Sequence, residues 1–585
     1  MDQRTYSCLF GGEAGYGVMS AGAMVAKGAG RNGLWSFVVN EYPSLIKGGL
    51  NTCLVRLGNK PLQSYHDEID FLGALSQQAF DLYAAKVKSG GMVLYDSGSI
   101  MADPEKVAAG VTLFPVALMQ SLPGDAAKVM ANSSLLGAFC ALTGFPKDIL
   151  TQVMATEFHS DSVVKQNISL LDATYNAVVT SGAKQPTFDL ALQTDKEQKM
   201  LLNGNDAISM GAIQAGCQFA AGYPMTPGSG ILVYLADHGP KYGLVFKQAE
   251  DEIAAINMLI GASFAGARVL GATSGGGFSL MVEALGFAAQ AELPLVMVEA
   301  QRGGPSTGLP TRTMQADLNF VVHASQGEFP RFVVAPGDID ECFYETFRIF
   351  NLTDKYQVPG VILTDKYLAD TALTHPYFDT ADMLIERGKI ANEEWLAANQ
   401  PYQRYQLTED GVSVRTVPGQ AGGRHIATSY THGEDGFYSS GNKEYAVNEP
   451  AVTAAGIDKL YAKVPQMAQD IPGVKFYGPK TADLTIIAWG STKGAVLEAL
   501  AIAKEAGLAV NFLQVLYVSP FPAEKVAQIL QKATKTLLIE GNKTGQLGQM
   551  IRAYTGYKAD YTYFKYDSRP FVPTGIMSKI KEVLS

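Results

Sequence analysis

Residues 267–278 read ARVLGATSGGGF, and residues 293–304 read LPLVMVEAQRGG. Each starts with a short apolar run and ends in glycines mixed with Thr, Ser or Arg. The apolar runs do not alternate with polar residues, so they fit strands buried on both faces, as a parallel sheet requires. The loop Gly222-Tyr223-Pro224-Met225-Thr226-Pro227 and the longer loop Gln301 to Thr311 follow the same plan. In an open parallel sheet, loops at the carboxyl ends of the strands converge on the ligand crevice. Glycines let backbone amides approach a ligand there, and Thr, Ser and Arg supply oriented donors. The fold class that follows is α/β.

Working outward, the chain divides into several regions. Residues 1–187 open with a strand, Tyr6 to Phe10, and a glycine turn. Val18, Met19, Ala21, Met24 and Val25 then read as the apolar positions of a buried helix. Gly12, Gly15 and Gly17 resemble a dinucleotide fingerprint, but no acidic ribose partner closes a second strand. A tight turn beneath a packed helix is the competing reading. Residues 188–205 form a polar linker. Residues 206–378 alternate helices with short apolar strands. Residues 379–480 are richer in charge, Gly and Tyr and read as an irregular connector wrapped over the surface. Residues 481–585 repeat strand-helix units through LTIIAWG, AVNFLQV and TLLIEGN.

At 585 residues, and roughly 150 residues per domain, about three or four domains are expected. Lys plus Arg number 46 and Asp plus Glu 56, a net charge of −10 without long basic runs. That balance argues against nucleic acid as a partner. No apolar stretch approaches the ~20 residues of a membrane span, and the start of the chain lacks a charged-then-apolar signal pattern. The five cysteines, Cys8, Cys53, Cys140, Cys217 and Cys342, are isolated from one another. Without a CxxC pair, no zinc or iron–sulfur site is expected on this chain. The sparse set fits a reducing cytoplasm. The phosphate-binding pattern GxxxxGK[ST] is absent, which disfavours triphosphate chemistry.

Between the glycine loops lies Gln248-Ala249-Glu250-Asp251-Glu252-Ile253-Ala254-Ala255. Three acids on a first helical turn have an ordinary explanation, since each complements the helix dipole by ~0.3–1 kcal/mol. The helix behind them, IAAINMLIGASFAGA, is small and apolar, so a carboxylate on its inner edge is desolvated and needs a partner or a job.

These segments, GYPMTPGS, QAEDEIAAINMLIGASFAGAR, TSGGGFSLMVEALG and QRGGPSTGLPTRTMQADL in order, resemble the α subunit of the 2-oxoacid:ferredoxin oxidoreductases. The first region, with EYPSLIKGGLN, is similar to that family's γ domain, fused ahead of α. The last, with LLIEGNKTGQLGQMI, is similar to the transketolase carboxyl-terminal domain. The resemblance implies a pyrimidine-binding domain of the thiamine-diphosphate enzymes over 206–378, a γ-type α/β domain over 1–187, and a transketolase carboxyl-terminal-type domain with a parallel sheet over 481–585. It also implies that thiamine diphosphate is shared with a β subunit, which carries Mg2+ and a [4Fe–4S] cluster. Ferredoxin, coenzyme A and a 2-oxoacid are the remaining partners, in a dimer of αβ heterodimers.

Residue roles come with the resemblance. Glu252 matches the family's activating glutamate, which bonds the pyrimidine N1′ and favours the imino tautomer that deprotonates thiazolium C2. Glu250, one slip of the alignment away, is the fallback. Tyr223, Pro224 and Thr226 match the YPxTP loop beside cofactor and substrate. Arg302 matches the substrate arginine, whose planar fork suits a carboxylate. Thr311 is a hydroxyl donor to the same substrate. Lys47, assisted by Ser44, meets the distal carboxylate of 2-oxoglutarate. For Thr226 and Thr311 the competing reading is turn chemistry, for Arg302 a surface ion pair, and for Lys47 a solvated side chain. The activity implied is oxidative decarboxylation of 2-oxoglutarate to succinyl-CoA, or the reverse carboxylation. Pyruvate or broad specificity is the alternative. A nicotinamide dehydrogenase and a non-catalytic scaffold subunit are more remote.

Overall fold

Strands buried on both faces need helices on both sides, and the chain supplies them by alternation. The computed structural model describes residues 4–45, 48–118, 126–182, 199–441 and 447–585, without the side chains of residues 126–129. It separates into two compact units. One gathers the chain up to Asn203 with Asp370–Phe378 and Val572–Thr574, and the other holds the remainder.

The first unit is built on an eight-stranded mixed sheet. Thr5–Glu13, Ile69–Ala74, Val87–Asp96 and Thr112–Val116 run parallel, while Leu50–Gly58 and Trp35–Glu41 add antiparallel on the other side. Its core centres on Phe10, Phe71 and Phe139, whose ring centroids lie 5.1–6.2 Å apart. The helix Val18–Arg31 buries Val18, Ala21, Met24 and Val25 as expected, but Met19 faces out at 36% exposure. The glycine turn ahead of this helix is a packing device. Gly17 has φ +68°, and a Cβ on it would lie 2.8 Å from Asn132 Nδ2.

Two expected boundaries fall differently. The second region was expected to run unbroken to 378, but Ala372–His375 pairs with Trp35–Glu41 and with Met200–Leu202 in the sheet of the first unit. The short stretch Met200–Leu202, within the expected linker, is therefore a strand. Residues 188–198 of that linker lie outside the described residues.

The second unit carries two sheets. In the larger one Phe332–Val334, Pro359–Asp365, Leu295–Gln301, Val269–Thr273, Phe219–Gly222 and Val245–Gln248 run parallel in that spatial order. Tyr517–Ser519 closes one edge antiparallel. Every residue of Val269–Thr273 and Leu295–Gln301 is buried, as their apolar runs imply. The smaller sheet has Val510–Val515, Leu484–Ala488, Thr536–Glu540 and Tyr561–Phe564 in parallel, with Val474–Tyr477 antiparallel at its edge. The connector is less irregular than its composition suggests. It contains the helices Glu393–Ala398, Glu449–Ala462 and Val464–Asp470, and its end supplies that edge strand. No helix among the described residues is long and apolar enough to cross a membrane.

Candidate active site

Four loops leave the carboxyl ends of Phe219–Gly222, Val245–Gln248, Val269–Thr273 and Leu295–Gln301 on one side of the parallel sheet. The loop after Gln248 enters the helix Glu252–Phe264 through Asp251, whose side chain accepts from the Ala254 amide at 2.7 Å. That cap turns the first helical residue inward. Glu252 is buried at 4% exposure, while Glu250 stays exposed on the loop. The geometry therefore separates the two acids that sequence alignment left adjacent.

Glu252 lies against the glycines of the next loop. A Cβ on Gly277 would sit 2.6 Å from Glu252 Oε1, 2.8 Å from its Cγ and 2.0 Å from Thr273 Oγ1. Only glycine fits that contact, and Glu252 Oε1 has no hydrogen-bond partner among the described residues. Leaving a buried carboxylate oxygen unpaired costs about 1–3 kcal/mol or more, so the position is suited to a ligand that brings a ring nitrogen. We expect Gly277→Ala to lower thermal stability by about 1–3 kcal/mol through overpacking and to cut activity together with it. A variant matching wild type in both melting temperature and turnover would show that the contact is slack.

The first and fourth loops are joined directly. Arg302 Nη1 donates to the Thr226 carbonyl at 2.8 Å. The backbone of the fourth loop doubles back on itself. Leu309 N donates to the Gly303 carbonyl at 2.6 Å and Gly303 N to the Arg312 carbonyl at 3.1 Å. Thr311, on the returning stretch, is buried. Burial draws the Arg302 guanidinium below its usual range, and the charges of Glu299 and Asp317 oppose that shift. Tyr223 and Pro224 are exposed at the mouth and Thr226 is half-buried. Met225 Sδ reaches within 3.9 Å of a Cβ position on Gly276, which ties the first loop to the third.

Thus Thr226 and Arg302 form one pair, with the buried Thr311 on the loop that Arg302 opens, and Glu252 with Gly277 and Thr273 forms a second group on the same sheet edge. Ser44 is an exposed residue of the first unit, and Lys47 lies outside the described residues. Sequence reading took Gly277 only as part of a glycine loop, not as the contact of Glu252, and did not single out Glu299. The signal for Glu299 was present, because an acid two residues before the end of the run LPLVMVEAQ breaks a wholly apolar strand. Ile253, Leu280, Leu309 and Val245 on these same elements are exposed apolar side chains.

The donor set fits an aminopyrimidine: a buried carboxyl oxygen without a partner among the described residues, held beside the glycine loop at the carboxyl edge of the sheet. No group of three His, Cys, Asp or Glu placed to hold a metal occurs among the described residues.

A family model described as pyruvate flavodoxin/ferredoxin oxidoreductase, thiamine diphosphate-binding, matches residues 210–449. A pyruvate ferredoxin/flavodoxin oxidoreductase model matches residues 7–177, and the model for core domain II of pyruvate:ferredoxin oxidoreductase matches 482–565. The 2-oxoacid:ferredoxin oxidoreductase subunit alpha of Saccharolobus solfataricus is 31% identical over 99% of this chain and 98% of its own. The 2-oxoglutarate synthase subunit KorA of Methanothermobacter thermautotrophicus is 35% identical over 60% of this chain and 89% of its own. Among solved structures, the 2-oxoglutarate:ferredoxin oxidoreductase from Magnetococcus marinus, with 2-oxoglutarate, coenzyme A and succinyl-CoA bound, aligns over 100% of both chains. Its TM-score is 0.90 at 32% identity.

Proposed function

This chain belongs to the 2-oxoacid:ferredoxin oxidoreductases, a family of thiamine-diphosphate-dependent enzymes, and on that premise we propose that it is the α subunit, with a fused γ domain, of an enzyme acting on 2-oxoglutarate. The reaction is 2-oxoglutarate + CoA + two oxidised ferredoxins → succinyl-CoA + CO2 + H+ + two reduced ferredoxins, or its reverse. The observation that carries the reading is the Glu252 oxygen, without a partner among the described residues and held against Gly277, on the same sheet edge as the Arg302–Thr226 pair. The 2-oxoglutarate names of two similar proteins support the choice of substrate.

Thiamine diphosphate, when bound, supplies an acidic carbon that adds to the 2-oxo group and an electron sink for decarboxylation. Glu252 holds the proton at the pyrimidine N1′. Tyr223, Pro224 and Thr226 flank the cofactor ring. Arg302 takes the carboxylate beside the reacting carbon through its planar fork, with Thr226 and Thr311 as hydroxyl donors. A β subunit provides the diphosphate and Mg2+ site and a [4Fe–4S] cluster. The exposed Ile253, Leu280, Leu309 and Val245 suit a surface that such a subunit covers. The test is viologen reduction by the co-purified complex with coenzyme A, comparing 2-oxoglutarate with pyruvate. A clear preference for pyruvate would overturn the substrate assignment, and dependence on NAD in place of a low-potential acceptor would overturn the electron route.

Lys47 decides the substrate in this reading. The distal carboxylate of 2-oxoglutarate loses water on entering the site, so it needs a cation. Arg302 is engaged with the carboxylate that both substrates share. Lys47→Met keeps most of the stem and removes the charge. kcat/KM for 2-oxoglutarate should fall by about 1.5–3 kcal/mol, or roughly 10–150-fold, while pyruvate is unchanged or improved. Equal losses on both substrates would assign Lys47 to the shared carboxylate or to structure.

A further inference from the structure

A cavity of about 310 Å³ lies between the helix Glu449–Ala462 and the connector stretches around Tyr405 and His432. Its third side is formed by Gln290 and Glu292, at the end of the helix Gly275–Gln290. That helix begins at the glycine loop facing Glu252. At ~1.5 Å per residue its 16 residues set the cavity roughly 24 Å from the candidate active site. On the helix Glu449–Ala462, Val452, Gly456, Lys459 and Leu460 recur at the spacing of one face and line the cavity. Gly456 keeps that face open, because a Cβ on it would meet nothing within 4 Å. Glycine inside a helix is destabilising, and no close packing here requires it. On the connector side the rings of Tyr405 and His432 lie against each other, with centroids 3.9 Å apart.

The buried groups around this cavity are short of negative charge. Lys459 and Lys463, 5% and 0% exposed, both donate to the single carboxylate of Glu292, at 2.5 and 2.7 Å. Arg404, equally buried, donates through Nη2 to the carbonyl of the same residue at 2.8 Å, and its Nη1 has no acceptor among the described residues. Three buried cations thus contact one residue that carries one negative charge. Glu434, also on the cavity wall, is engaged by the Leu407 amide at 2.8 Å. Desolvation draws the Lys459 ammonium down to about 8, Glu292 opposes that shift, and Lys463 and Arg404 add to it. An ammonium has three donors, and Glu292 is the one acceptor Lys459 finds among the described residues. The Tyr405 hydroxyl, on the same cavity, is buried with no partner among the described residues. Buried donors without acceptors are costly, charged ones most of all.

We propose that this cavity is a binding site for a small organic carboxylate with an apolar body, whose head group is held by Lys459 and the Tyr405 hydroxyl and whose body covers the open face at Gly456. The carboxylate supplies the acceptor atoms and the negative charge that the buried cations lack. Leu407, Val452 and Leu460 on the cavity wall suit the apolar part, and the Tyr405–His432 pair offers it a flat surface. A cavity of about 150 Å³ holds benzene, so this larger one admits a ring or a short alkyl chain together with the carboxylate. The largely apolar lining favours a singly charged head over a phosphate, whose second charge would be costlier to desolvate. The site is independent of the substrate assigned above, since none of its residues belongs to the loops at the sheet edge.

The test is calorimetric titration of the full chain with 3-phenylpropionate and with octanoate, which separate an aromatic from an alkyl body. At least one of them should bind with Kd on the order of 0.1–1 mM, as expected for a ligand of about ten heavy atoms. The corresponding neutral amide should bind roughly tenfold or more weakly, the scale of a lost charge-assisted hydrogen bond. Lys459→Met should bring the carboxylate down to the affinity of its amide and leave the amide unchanged. Gly456→Leu fills the open face and removes a helix glycine. It should abolish binding of acid and amide alike, with the melting temperature unchanged or raised. Absence of saturable binding by both acids up to about 10 mM would overturn the proposal, as would an amide equal to its acid. Wild-type affinity in either variant would place the ligand elsewhere and overturn it too. Should Lys459→Met fail to fold, Gly456→Leu and the acid–amide comparison decide.

Discussion

Replacing Glu252 by Gln is expected to lower 2-oxoacid-dependent viologen reduction by roughly 10²–10⁴-fold, the scale of a lost general acid–base group, with folding and subunit assembly intact. The amide has the volume of the carboxyl, so the close contact with Gly277 and the Asp251 cap are preserved. What disappears is the group that can hold or release a proton at a ring nitrogen. The environment explains why no neighbour substitutes. Glu252 Oε1 is buried without a partner among the described residues, and Glu250, two residues away, points to solvent. Glu250→Gln is therefore the matched control and should remain within a few-fold of wild type. A Glu252→Gln enzyme of near-normal rate, with a crippled Glu250→Gln enzyme, would reverse the assignment and require the helix start to shift when the β subunit docks.

The difference between these two acids shows where sequence reading stops. The run QAEDEIAA announces a helix start, and the apolar helix behind it announces burial. Which acid turns inward depends on the residue that caps, and only the side chain of Asp251 on the Ala254 amide identifies that cap. Three of the four loops were legible because fully apolar strands force a parallel sheet, and parallel sheets place loops of one kind on one edge; the strand before the other, Val245–Gln248, is short and largely exposed. The return of Ala372–His375 to the first sheet was not legible. Four residues, ALTH, carry too little pattern to reveal a pairing with a strand more than three hundred residues earlier.

The connector was the least readable stretch, because what holds it is charge rather than periodic apolar burial. Asp354, on the helix Ile339–Tyr356, accepts from Arg268 Nε at 2.7 Å, Arg387 Nε at 2.9 Å and Arg415 Nη2 at 2.7 Å. Arg387 and Arg415 belong to the connector. Arg268 precedes the strand Val269–Thr273, which leads to the glycine loop of the site. Asp354, Arg268 and Arg415 are each at most 3% exposed. Desolvation pulls the Arg415 guanidinium down to about 10, the other arginines add to the shift, and Asp354 counters it. One carboxylate thus offsets three mutually repelling cations. We expect Asp354→Asn to cost about 3–5 kcal/mol, the penalty for leaving buried charge uncompensated. The loss should appear as faster amide exchange and proteolysis across residues 379–416, before the parallel sheet opens. The double variant Asp354→Asn/Arg415→Met should recover about 1–3 kcal/mol of that loss, because it removes one of the stranded cations and fills its space with apolar atoms. A single variant that loses less than about 1 kcal/mol would mean that these pairs are solvated like surface ion pairs. A double variant worse than the single would mean that Arg415 acts through its contacts with the connector rather than through its charge. Either outcome would remove Asp354 as the clasp that holds the connector to the sheet bearing the site.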